Sequence, residues 1–173
     1  ISEEGKGRIK GAQATMKSDL GNASKRLHEK RCASPKENPF KYSIGTRIRD
    51  KHFLELLEPS PKDRILDIGC GLGYFSELLS EKGATVWGVD TDAASIEYCT
   101  NNIDGNFVIG RAESLPFEND TFDKILCSEV LEHIADDERA LTEIFRVGRE
   151  GATVVITTPA LEGIFGSKIK RIG

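Results

Sequence analysis

Three glycines at alternate positions, Gly69, Gly71 and Gly73, follow the short run Arg64-Ile65-Leu66-Asp67-Ile68, with Cys70 and Leu72 between them. Glycine lets a backbone turn tightly and approach a ligand with no Cβ in the way. Helix-forming residues from Tyr74 onward would aim free N–H groups into the same crevice. A dinucleotide fingerprint needs a small residue at its sixth position. Counted from Gly69 that position is Tyr74, and counted from Gly71 it is Ser76, so the G-x-G-x-G spacing matches it poorly. Asp67, two residues before the first glycine, suits a ligand with a cationic head and disfavours a pyrophosphate.

A second carboxylate, Asp90, ends the run Val86-Trp87-Gly88-Val89-Asp90, 23 positions after Asp67. An ionised carboxylate at a strand end can accept hydrogen bonds from both hydroxyls of a ribose. Thr91 is a further candidate for the same ligand, and Thr91 or Asp92 for the cap of the next helix. Farther on, Glu129, Glu132 and His133 stand at i, i+3 and i+4, a spacing that gathers all three on one helical face. Three roles are open to them. His133 can act as a general base, the three can hold a divalent cation, or the turn can simply cap, salt-bridge and shape a pocket. The cysteines Cys32, Cys70, Cys99 and Cys127 show no C-x-x-C pair and no His beside two of them, so a zinc site is not expected. Cys70 and Cys127, at strand ends, read as small apolar residues.

The elements that must carry these residues alternate. Residues 45–57 have the spacing of an amphipathic helix, stopped by Pro59 and Pro61. Strands are predicted at 64–68, 85–89, 107–109, 122–127 and 152–158. Helices are predicted at 74–82, with Gly83 as a stop, and at 93–102, 138–147 and from 161 toward 171. Strands alternating with helices imply right-handed crossovers and a mostly parallel sheet covered on both faces. Ligands of such sheets bind beyond the carboxyl ends of the strands, which is where the glycines, Asp90 and His133 fall.

The chain of 173 residues suits one domain. Its net charge of −4 conceals an asymmetry: residues 1–50 carry 12 Lys/Arg against 6 Asp/Glu, and the remainder carries 12 against 22. Residues 1–40 read as a flexible basic arm and 41–173 as the folded core. A basic arm can touch a phosphate-bearing partner. With almost no aromatic residue for stacking on bases, it reads better as a solvated tail, and nucleic acid is not expected as the substrate. No stretch approaches the roughly 20 apolar residues of a membrane span. No signal-peptide pattern opens the sequence, and cytoplasmic residence is expected.

Leu66-Asp67-Ile68-Gly69-Cys70-Gly71-Leu72-Gly73 resembles motif I of the class I S-adenosylmethionine-dependent methyltransferases, usually (V/L)LD(I/V)GCGxG. The resemblance covers residues 45–160 and leans toward the type 11/25, ubiquinone-pathway-like branch. It implies a Rossmann-like three-layer α/β sandwich, S-adenosylmethionine as cofactor, and methyl transfer to an O, N or C atom of a small molecule. In that family the motif I loop wraps the methionine part and the ribose, and the acid at the position of Asp67 organises the loop and the amino group. Gly110-Arg111-Ala112-Glu113-Ser114-Leu115-Pro116-Phe117 is similar to the G-D-A-x-x-L-P-F segment that holds adenine. Arg111 stands where Asp is usual, leaving Glu113 as the candidate acidic contact and Ala112 as a backbone donor. Cys127-Ser128-Glu129-Val130-Leu131-Glu132-His133 is similar to C-x-E-x-L-E-H, which implies Ser128 beside the methionine end and His133 beside the acceptor. Arg49, on the preceding helix, is a candidate for the cofactor carboxylate. The family sheet has seven strands and ends in an antiparallel hairpin. Only five are predicted here, so the C-terminal strands are expected to be missing. Two alternatives remain: a module that binds the cofactor without turnover, and a dinucleotide oxidoreductase.

Overall fold

The computed structural model describes residues 44–158 and 166–171, with side chains described for 51–158. The arm expected over residues 1–40 lies outside the described residues, as does Cys32. Apart from the first turn of the first helix, the described elements fall in one unit, Arg47–Gly173.

The order of elements is α1 (Ile44–Leu57), β1 (Arg64–Ile68), α2 (Tyr74–Ser80), β2 (Thr85–Asp90), α3 (Ala93–Asn102), β3 (Asn106–Ile109), β4 (Phe122–Ser128), a 3₁₀ turn (Leu131–His133), α4 (Asp137–Val147), β5 (Gly148–Thr158) and β6 (Gly166–Arg171). One sheet runs β3-β2-β1-β4-β5-β6. Every pairing is parallel except that of β6 with β5. The mostly parallel sheet expected from the alternation of strands and helices is therefore present. The helix expected from 161 toward 171 is not: Gly166–Arg171 pairs antiparallel with β5, Val155 opposite Ile169. An open sheet edge offers a row of unpaired N–H and C=O groups, and pairing with it outweighs a weak local helical pattern. The sheet thus has six strands among the described residues.

Strand residues alternate between two cores. Ile65, Leu126 and Val155 meet Phe53 and Leu57 of α1 and Leu79 of α2 on one face. Leu66, Ile125 and Val154 meet Ala140, Ile144 and Val147 of α4 on the other. Both faces of a parallel sheet must be covered, which is why adjacent residues are apolar at Ile65-Leu66 in β1 and at Ile125-Leu126-Cys127 in β4. α4 is sharply bounded. Asp136 caps it by accepting from the Arg139 N–H at 3.0 Å, acids fill its first turn, and Arg146 sits in its last. Among the described residues no helix is long and apolar enough to cross a membrane.

Candidate functional site

The carboxyl ends of β1, β2, β3 and β4 enclose a crevice of about 310 Å³. It lies where the strand order reverses between β1 and β4, the place where open α/β sheets bind ligands. Of the candidate residues, Gly69, Asp90, Thr91, Ala112, Glu113 and His133 line it, whereas Asp67, Cys70, Gly71, Gly73 and Ser128 do not. Ile68, Val89, Val130 and Ile134 give it an apolar lining that sequence reasoning missed. Their only signal was apolar character next to the motifs, which buried strand ends share.

The glycine loop is built by tight packing. Gly69 has φ +70°, and a Cβ there would lie 2.3 Å from Val130 Cγ2. Gly73, at φ +76°, opens α2, and its Cβ would lie 2.2 Å from Ile103 Cδ1. The loop N–H groups turn inward. Those of Gly69 and Cys70 donate to the Val89 carbonyl at 2.8 and 3.1 Å, that of Gly73 to the Cys70 carbonyl at 2.8 Å, and that of Gly71 to Asp90 Oδ2 at 2.8 Å. These four donors are spent within the fold and are not offered to a pyrophosphate, which weighs against dinucleotide binding. Asp90 Oδ1 accepts from the Asp92 N–H at 2.9 Å. Asp92, not Thr91, caps α3 by accepting from the Ser95 N–H at 3.0 Å.

Asp67 lies beneath the loop, outside the crevice. It is fully buried and accepts a hydrogen bond from the Ser76 hydroxyl at 2.7 Å, which ties β1 to α2. Loss of hydration on burial pushes its carboxyl up to about 7, against the opposing pull of Ser76. Between the unfolded value near 4 and this one, the native chain retains a proton that the unfolded chain has released, so this group's contribution to stability declines as pH rises. Asp67→Asn escapes that penalty. Its stability relative to wild type is expected to rise by roughly 2–4 kcal/mol between about pH 4 and pH 8, read from urea midpoints of the ligand-free proteins.

The remaining candidates sit around this frame. Cys70 is buried under the loop, and its contact with Cys99, followed by burial, drives its thiol far above the ordinary range. Burial likewise pushes the Cys127 thiol up to about 12. Neither is an available nucleophile. Ser128 shares a hydrogen bond of 3.0 Å with the Thr157 hydroxyl at the end of β5. Arg49 falls on α1, with its side chain outside the described residues. Arg111 bonds Glu113 at 2.6 Å on the crevice wall, and that bond holds the Glu113 carboxyl below its ordinary range.

The turn after β4 departs from expectation. Glu129 is left-handed, with φ +57°, and its N–H donates to the Thr157 carbonyl at 2.9 Å; Leu131–His133 forms only one 3₁₀ turn. The i, i+3, i+4 arithmetic assumed a continuous α-helix, and the reversal at Glu129 breaks it. Among the described residues no group of three His, Cys, Asp or Glu is arranged to hold a metal ion. His133 and Glu129 both line the crevice. A non-glycine residue in the left-handed region costs about 1 kcal/mol or more. Glu129→Gly is therefore expected to raise the melting temperature by a few degrees, about 2–4 °C per kcal/mol, whereas Glu129→Gln leaves it unchanged.

An acidic strand end, an inward-turned glycine loop and a crevice at the switch point are features of a Rossmann-like fold. Residues 66–156, just over half of the chain, match the family model described as methyltransferase domain, and the chain belongs to that family. A ubiquinone biosynthesis O-methyltransferase of Bartonella tribocorum is 42% identical over 100 residues, covering 51% of this chain and 40% of that protein. The protein of the same name from Rhizobium leguminosarum is 34% identical over 125 residues, covering 65% and 49%. The chain thus spans less than half the length of these curated relatives. Among solved structures, the YcgJ protein of Bacillus subtilis superposes with a TM-score of 0.61 at 27% identity, over 65% of this chain and 50% of that one. The PH0226 protein of Pyrococcus horikoshii, at 24% identity and TM-score 0.60 over 75% and 65%, shares the fold. S-adenosylmethionine is the cofactor of this family, and the crevice suits it. Asp90 offers a carboxylate acceptor, and Gly71 leaves open space where a Cβ would project.

Proposed function

We propose that this chain binds S-adenosylmethionine in the crevice and transfers its methyl group to the oxygen of a small-molecule hydroxyl. The observation that carries the reading is Asp90. Its two oxygens bind the glycine loop and the start of α3 at 2.8 and 2.9 Å while the residue lines the crevice. The same carboxylate therefore orders the loop and faces the ribose hydroxyls of the cofactor. Glu113 and the Ala112 backbone are assigned to the base and Ser128 and the glycine loop to the methionine end, while Arg49 is assigned to the carboxylate by its sequence position alone. The cofactor supplies an electrophilic methyl on a sulfonium that departs as a neutral thioether.

The protein's own part is alignment and removal of water. Val130 and Ile134 give the crevice apolar walls, and His133, which lines it, is assigned the role of taking the proton of an attacking hydroxyl. Oxygen is favoured as acceptor atom by the relatives named as O-methyltransferases. A small molecule is favoured over nucleic acid by the carboxylates of Asp90 and Glu129 around the crevice, which repel a polyanion, while Glu113 is balanced by Arg111. The cytoplasm is the compartment proposed for this reaction.

The test is calorimetric titration of S-adenosylhomocysteine, with NADH as control. Saturable binding of the first alone supports the reading; binding of NADH, or of neither, overturns it. With a reactive hydroxyl acceptor in hand, His133→Ala is expected to lower turnover by about 100-fold or more while leaving the dissociation constant for S-adenosylhomocysteine unchanged.

A further inference from the structure

The crevice wall at Gly110–Glu113 has little regular structure of its own; a single bridge joins Arg111 to Ser114. It is held from behind by α4. Arg139, Glu143 and Arg146 stand at i, i+4 and i+7, one stripe along the helix. Arg139 Nε donates to the Glu113 carbonyl at 2.8 Å. The Arg146 guanidinium donates to the Leu115 carbonyl at 3.0 Å, the Phe117 carbonyl at 2.8 Å and Asn119 Oδ1 at 2.9 Å. Its Nε and Nη2 bond the two oxygens of Glu143 at 2.7 and 2.8 Å. Glu143 Oε2 also accepts the Leu115 N–H at 2.8 Å. Both polar groups of Leu115 are thus gripped by one ion pair, two residues from Glu113 on the crevice wall.

From this arrangement we propose that Arg146, fixed by Glu143, is a positioning residue for the nucleobase side of the cofactor crevice. This rests on the reading above that the crevice takes S-adenosylmethionine. The apolar anchors Ala112 and Leu115 bury this segment against α4, but apolar contact is non-directional and does not set where backbone groups point. The guanidinium does so, because its planar fork serves three acceptors and a carboxylate in one fixed geometry. The Arg146 and Glu143 side chains are only 29% and 18% exposed, so solvent competes weakly for these bonds. Glu143 is held below the ordinary carboxylate range by Arg146, which keeps the pair charged. Lysine can supply the charge but not the fork.

The experiment compares wild type, Arg146→Met and Arg146→Lys in two ways: the dissociation constant for S-adenosylhomocysteine, and amide hydrogen exchange without ligand. For Arg146→Met, binding is expected to weaken by about tenfold or more, since a shift of about 1 Å in a binding wall has effects of that order. Exchange should speed up at residues 112–117 and stay unchanged at residues 69–73. Arg146→Lys, which keeps charge and bulk, should fall between the two. Wild-type-like binding by Arg146→Met overturns the proposal, as does exchange that rises equally at 69–73, which would mean that Arg146 acts only through global stability. If Arg146→Met does not fold, unweakened binding by Arg146→Lys overturns it. Failure of wild type to bind S-adenosylhomocysteine at all instead brings down the cofactor reading, and this inference with it.

Discussion

Asp90→Ala is expected to weaken binding of S-adenosylhomocysteine by about 100-fold or more. Two losses combine. The ribose hydroxyls lose an ionised acceptor, and hydrogen bonds to charged groups contribute about 1.5–3 kcal/mol each. The glycine loop also loses the bond from Gly71 N–H to Asp90 Oδ2, and the start of α3 the bond from Asp92 N–H to Asp90 Oδ1. Asp90→Asn separates the two. Its amide oxygen can still accept from one N–H but carries no charge, so it should tether the loop yet bind the ribose less well. An intermediate affinity, with the melting temperature kept near that of wild type, is the expected outcome by calorimetry and thermal unfolding. If Asp90→Ala binds as tightly as wild type, the ligand does not contact this carboxylate and the crevice has been assigned to the wrong ligand.

The second large effect is on stability and concerns neighbouring glycines with opposite surroundings. Gly73→Ala places a methyl 2.2 Å from Ile103 Cδ1 and 2.9 Å from Cys99 Sγ, at a φ of +76°. Left-handed strain of about 1 kcal/mol adds to an overpacking penalty of about 1–3 kcal/mol. The melting temperature should fall by roughly 5–15 °C, at about 2–4 °C per kcal/mol. Gly71→Ala, at φ +49°, meets nothing within 4 Å. It should lose only the strain, about 1 kcal/mol or a few degrees. Equal losses at the two positions would show that backbone conformation, rather than the packing of α3 against the loop, is what these glycines serve.

Local sequence carried much of the architecture. The glycine loop and Asp90 were legible because each stands at the end of an apolar run read as a buried parallel strand, and ligands of such sheets gather at those strand ends. The apolar lining from Val130 and Ile134 was not legible, because nothing in their type separates a crevice wall from a core. The stripe on α4 escaped notice for a similar reason. Arg139, Glu143 and Arg146 look like an ordinary solvated helix face until residues 113–119, some 26 to 31 positions away in the chain, are folded against them.

The sequence by itself determined the alternation of elements, the parallel core and the strand ends that border the crevice, because hydrophobic period and glycine placement act within a few residues. Tertiary structure decided what lies between those points. It bent the turn at Glu129 into a left-handed residue where a helix was expected, since the Glu129 N–H is taken by Thr157 of β5. It drew Gly166–Arg171 onto the open edge of β5 as a strand. It also set Asp67 under the loop on Ser76, outside the crevice. In each case a hydrogen-bonding group had more than one local way to be satisfied, and a partner distant in the chain selected among them.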